Sequence, residues 1–293
     1  MKILTETRGR GRLVGLAVLF VLGWWLRTLQ PLGLAAAVPW PWTTATLTIY
    51  FADGAYLFPL SRRVPSNTDL PRAALAALLA GPPAGSVLTS AVPPDLGLDE
   101  LEIVDGIAHV RLSGSVQALR EMPLGATAIV ATLGRLPGVE GVALSVAGTP
   151  VTDASTRARL IYYPSAGGLV AVPAAASNPR AALEAFLAGP PAAELTRLPS
   201  DARLLGADFD QADGVIALRF AYTPSVRALA LERPDRMRFL LLGLIATLTD
   251  FSEVRGVQLD FGGQSRLGLG ECSDLLRTPQ PRPALLNDER LIR

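Results

Sequence analysis

Few side chains in this sequence are equipped for catalysis. Its 293 residues include one histidine, His109, and one cysteine, Cys272. A Ser-His-Asp or Cys-His mechanism would have to run through His109, the sole imidazole. A Cys/His zinc site takes about four ligands, and this chain offers two. One thiol forms no intramolecular disulfide. Asp105 and Asp213 are a candidate acid–base pair, but each precedes a glycine, and Asp-Gly between two strand-like runs is a hairpin turn. The GPPAG glycines (81–85) end a helix instead of opening one, and no Gly-Lys-Ser/Thr follows, so no phosphate loop is read. His109 alternates with Ile107 and Arg111, opposite apolar Ala108, Val110 and Leu112, so it is expected to point away from the core. No catalytic, cofactor-binding or metal-binding residues are assigned. Arg62 and Arg63 are expected near a sheet edge, on a solvated face or at an interface with another chain.

Composition narrows the class. With 27 basic and 26 acidic residues the formal charge is +1, and aromatics make up only 6%, so nothing draws the chain toward nucleic acid. At 49% hydrophobic and 18% charged it can bury cores. Its length suits about two domains.

The elements that would position these residues are written twice. PRAALAALLAGPPA (71–84) returns as PRAALEAFLAGPPA (179–192), identical at twelve of fourteen positions. Each copy reads as a helix opened by Asp69-Leu70-Pro71 or Asn178-Pro179 and stopped by Gly-Pro-Pro. Leu75, Leu78 and Leu79, with Leu183, Phe186 and Leu187, are predicted to share the buried face. A strand precedes each helix (46–53, 158–165). In the first copy an irregular strand at 55–64 follows, which Pro59 places at an edge. The hairpins at Asp105-Gly106 and Asp213-Gly214, a second helix (123–135, 238–248) and a last strand (141–146, 256–261) complete each unit. The fold class is α+β: two tandem β-α-β-β-α-β-like domains, each a mixed sheet with two helices on one face. The expected boundaries are 45–148 and 157–263, with a linker at 149–156 and a flexible tail at 264–293.

The N-terminus is read as an export segment. A basic region (1–12) precedes the uncharged run LVGLAVLFVLGWWL, and 13–38 is either a signal-anchor or a signal peptide cut at an Ala35-x-Ala37 site. A proline-bearing linker (39–44) follows. Both readings put residue 43 onward outside the cytoplasm.

The strand ends Tyr50-Phe51 and Tyr162-Tyr163, the Ala-Gly-Pro helix stops at 80–82 and 188–190, Pro93 and Pro199, and the two Asp-Gly hairpins occur in one order, twice. This set resembles the GerMN domain of sporulation and spore-germination proteins, in the tandem, GerM-like arrangement, over residues 45 to 263. The resemblance implies a fold similar to the ring-building motifs of secretion systems. It implies a non-enzymatic role in assembling envelope complexes, with no cofactor. The partners implied are other membrane or envelope proteins, such as a ring-forming channel complex, and self-association. A lipid-anchoring cysteine, frequent in the family, is absent here. GerMN domains also occur in exported proteins that partner sensor kinases, which leaves a sensor-accessory or ligand-binding role as the alternative.

Overall fold

The computed structural model describes residues 44–153, 156–210, 212–262 and 269–289. Ala45–Val64 and Thr68–Arg293 make one compact unit that holds both repeats. Met1–Thr44 with Pro65–Asn67 make another, of which only 44 and 65–67 are described. The export segment predicted at 13–38 lies outside the described residues.

The first repeat runs β1 (Thr44–Asp53), β2 (Tyr56–Pro65), α1 (Leu70–Ala80), β3 (Gly97–Val104), β4 (Ile107–Ser113), α2 (Val116–Glu121), α3 (Gly125–Leu133) and β5 (Gly141–Val146), then a short β6 (Thr149–Pro150). The second runs β7 (Leu160–Pro164), β8 (Leu169–Pro173), α4 (Pro179–Ala188), β9 (Leu204–Asp210), β10 (Val215–Phe220), α5 (Pro224–Glu232), α6 (Pro234–Leu248) and β11 (Gly256–Phe261). Each repeat therefore has three helices among the described residues, where two were expected. The extra ones begin at side-chain caps: Ser115 Oγ accepts from the Ala118 amide (3.1 Å) and Thr223 Oγ1 from the Val226 amide (3.3 Å). Such caps satisfy amides that a helix start leaves orphaned.

The repeated helices form as read. Asp69 and Asn178 cap them, and Gly81 (φ 85°) and Gly189 (φ 98°) end them in a conformation that suits glycine. The buried stripe is rotated from the expected one. Ala74, Leu75 and Leu78 are buried in α1, and Ala182, Leu183 and Phe186 in α4, while Leu79 and Leu187 are only half-buried.

The main departure is in the sheets. β3–β4 is antiparallel and β4–β5 parallel, giving the mixed order β3-β4-β5-β6; the second repeat has β11-β10-β9. The leading strands do not join either sheet. The β1–β2 and β7–β8 hairpins instead form one sheet shared by both repeats, ordered β1-β2-β8-β7. Pro59 thus lies on an inner strand, not an edge. It has no N–H to give a neighbour, and the β2–β8 ladder contains only the Leu57–Ala171 pair. The two hairpin turns also differ. Asp105 (φ 50°) and Gly106 (φ 78°) make the two-residue turn expected, while β9 and β10 are joined through 211–214, where Asp210 Oδ1 accepts from the Ala212 amide (2.9 Å).

The segment after the second repeat was expected to be loose. Its described part, 269–289, packs instead. A 3₁₀ helix (Gly270–Leu276) buries Cys272, Leu275 and Leu276, and Gln280 pairs with Val257 along the edge of β11. Farther on, Asn287 enters the gap between β2 and β8. Its Oδ1 accepts from the Leu169 amide (2.8 Å), and its Nδ2 donates to the carbonyls of Leu169 (2.8 Å) and Pro59 (2.9 Å). Its backbone carbonyl accepts from Ser61 (2.7 Å). The segment supplies the pairing that the two hairpins do not give each other. Prolines at 279, 281 and 283 interrupt it, so no periodic pattern announced it.

Candidate functional site

Corresponding positions of the two repeats converge above the shared sheet. Tyr50 on β1 and Tyr162 on β7 are fully buried, and their hydroxyls meet at 2.7 Å. Each tyrosine's backbone amide donates to a threonine of the helix covering that strand: Tyr50 to Thr132 Oγ1 (3.2 Å) and Tyr162 to Thr247 Oγ1 (3.0 Å). Strand amides at a sheet edge need such partners when buried. Gly243 lets α6 approach this closely, since a Cβ there would lie 2.6 Å from the Tyr162 carbonyl.

Charged side chains close the cluster. Arg135, two residues past α3, occupies the place that Asp250 holds two residues past α6. The two form an ion pair, with Asp250 almost wholly buried. Arg135 Nε also donates to the Tyr50 hydroxyl (3.2 Å). From the C-terminal segment, Arg282 donates through Nη1 to Asp250 Oδ1 (3.1 Å) and the Ala246 carbonyl (3.2 Å). Its Nη2 donates to the Tyr162 hydroxyl (3.3 Å). Arg159 stacks on Phe251, 4.5 Å from the ring centre, and reaches the Asp250 carbonyl (3.4 Å).

The phenols respond as a pair. Burial pushes Tyr50 well above the ordinary phenol value. Burial pushes Tyr162 up too, but the guanidiniums of Arg135 and Arg282 and the bond from Tyr50 outweigh it and bring the phenol below that value. The two shifts run in opposite directions, and the titration belongs to the pair, not to either residue alone. Burial opposes the charge on Arg282, but the two phenols outweigh it and hold the guanidinium above its usual value. The cluster holds no nucleophile activated by a base.

Two matches with a single family model decide what kind of protein carries this arrangement. The model described as Germane: Sporulation and spore germination matches residues 48–152 and again 160–266. The chain belongs to the Germane family. Among solved structures it is similar to the tandem GerMN domains of the sporulation protein GerM from Bacillus subtilis, with TM-score 0.60 and 17% identity, covering 84% of this chain and 99% of that one. The first GerMN domain of that protein alone gives TM-score 0.31 at 17% identity, over 39% of this chain and 90% of that one. A putative lipoprotein from Clostridium perfringens gives 0.25 at 20%, over 40% and 83%. No curated protein matches.

In this Germane protein the residues singled out from sequence stay apart from the cluster. His109 is exposed on the outer face of β4, opposite Glu102 on β3 and beside the Glu100–Arg111 ion pair. Asp105 and Asp213 sit in their hairpin connections. Arg62 pairs with Glu289 of the C-terminal segment (2.6 Å), and Arg63 is exposed. Burial pushes the Cys272 thiol up to about 11, and its Sγ lies 3.5 Å from the Pro234 carbonyl. A thiol held protonated is a poor nucleophile. Among the described residues no three His, Cys, Asp or Glu side chains gather as metal ligands, and no helix is long and apolar enough to cross a membrane.

Sequence reading paired Tyr50 with Tyr162 as matching strand ends but missed their contact. The signal available was register. At the 115-residue offset that relates the last strands, Thr132 meets Thr247 and Arg135 meets Asp250. Nothing local marks Arg282.

Proposed function

We propose that this Germane protein is a non-enzymatic assembly protein of sporulation or spore germination. In this reading residues 13–38 deliver it to the membrane, residue 43 onward lies outside the cytoplasm, and the repeats contact other envelope proteins. The observation that carries the reading is the family match to both repeats. Joining the repeats through one sheet supports it, because one compact unit that carries an open strand edge from each repeat suits a scaffold. The strand edges of β3 and β9, each at the end of its sheet, are surfaces a partner could use.

The test is the heat-resistant spore count of a strain lacking the gene. A severe drop is expected, restored by the intact gene but not by one lacking residues 1–38. An unchanged count would overturn the reading in favour of an exported sensor-accessory or ligand-binding protein.

A further inference from the structure

The tyrosine cluster fails two counts if both phenols are neutral. The first is of protons. Two phenols carry two O–H groups, and one of these lies in the 2.7 Å bond between them. The other neighbours of the two oxygens are Arg135 Nε and Arg282 Nη2. Guanidinium is donor-only. Among the described residues no other acceptor lies within hydrogen-bond distance of either phenol oxygen; Asp250 Oδ2, buried and itself without a partner, does not reach them, and both rings are fully buried. A buried O–H without an acceptor is disfavoured.

The second count is of charge. Facing the pair are Arg135 from the end of α3, Asp250 from the end of α6 and Arg282 from the C-terminal segment. Arg159, ahead of β7, lies behind Asp250, and Arg157 and Glu253 act on Arg159 from farther out. Two guanidiniums against one carboxylate leave the inner group one positive charge in excess. Losing one phenol proton to bulk water settles both counts. The unmatched O–H disappears and the inner group becomes neutral.

We propose that Tyr50 and Tyr162 hold a single proton between them, as phenol and phenolate, and that this anion keeps Arg282, and with it the C-terminal segment, over the seam between the repeats. Tyr162 is the better seat for the charge. The Arg282 guanidinium donates to its oxygen and lies 5.9 Å from its ring centre. A charge-assisted bond of this kind is stronger than its neutral counterpart. Arg282 stands between two attachment points of the segment, Gln280 on β11 and Asn287 between β2 and β8. Protonating the pair would loosen the middle of the strap.

The test is a spectrophotometric titration of tyrosinate in the full-length protein. With only five tyrosines in the sequence, a step of one can be resolved. An early step of one tyrosine in five is expected below the ordinary phenol value of about 10. Tyr162→Phe should abolish it. Arg282→Gln, at a partly exposed side chain, should move it up by about 1–3 pH units, the usual effect of an adjacent guanidinium on an acid. Amide protection of 280–289, corrected for intrinsic pH dependence, should fall below the step in the wild type and not in Tyr162→Phe. Folded wild-type protein without an early step would overturn the shared proton. An early step that Arg282→Gln leaves in place, or that leaves protection unchanged, would overturn the latch.

Discussion

Asn287→Ala measures how far the C-terminal segment holds the repeats together. Its side chain is buried and makes three bonds, one from the Leu169 amide and two to the Leu169 and Pro59 carbonyls. Removing it strands one buried N–H and two buried C=O groups. Each orphan costs about 1–3 kcal/mol, with carbonyls at the low end because they tolerate partial satisfaction. A loss of about 3–5 kcal/mol is expected, which for a body of this size lowers Tm by roughly 6–20 °C. Asn287→Asp should be worse at neutral pH, because a carboxylate oxygen would face both carbonyls. It should recover partly in acid, when a protonated carboxyl can donate to one of them. Glu289→Ala, which removes only the partly exposed pair with Arg62, should cost less than about 1 kcal/mol. Thermal and urea unfolding followed by circular dichroism would report all three. A change under about 0.5 kcal/mol for Asn287→Ala would refute the seating of the segment.

Three further outcomes are expected. Leu78→Ala should cost about 2–5 kcal/mol in urea unfolding and Leu79→Ala only about 1; equal losses would show the α1 stripe to be misplaced. Gly243→Ala sets a helix-propensity gain of about 1 kcal/mol against overpacking of about 1–3 where the new Cβ meets the Tyr162 carbonyl at 2.6 Å. A net loss is expected, and a rise in Tm would contradict the close approach. For pH, Tyr162 ionises below its unfolded value, so its contribution grows as pH rises through the folded value and is complete above the ordinary value of about 10. Tyr50, shifted upward, acts oppositely above that point. Cys272, also shifted upward, opposes the climb above its unfolded value of about 8.5, so stability should climb toward pH about 8.5, level off and fall above about 10, and Tyr162→Phe should flatten the climb. A steady decline of wild-type stability from neutral pH upward would contradict the assignment.

The parts of this fold legible in sequence were those set by neighbouring residues. Gly81 and Gly189 stop their helices because a left-handed residue followed by prolines admits no further turn. Asp105-Gly106 turns because both residues take positive φ. His109 points outward because β4 alternates. What stayed hidden depends on distant partners. The leading hairpins carry the same pattern whether they join their own sheets or each other, so Tyr50 and Tyr162 could be aligned without being brought together. Arg282 sits between two prolines and Asn287 in a short stretch without periodicity, and only the positions of β2, β8 and Asp250 give them a role. The helix starts at Ser115 and Thr223 were readable by their caps, but the helices are short.

The shared sheet also imposes a timetable. Leu57 waits for Ala171, Tyr50 for Tyr162, and Pro59 for Asn287, partners 112 or more residues later in the chain. A first repeat that has just been made can close its own β3-β4-β5-β6 sheet, but its leading hairpin has an unpaired inner strand. Contacts this remote in sequence form slowly, and an open strand edge in the interval invites pairing with the wrong chain. During that interval the protein is most exposed to aggregation and proteolysis, and a factor that shields β2 would speed its maturation more than one that acts on either repeat alone.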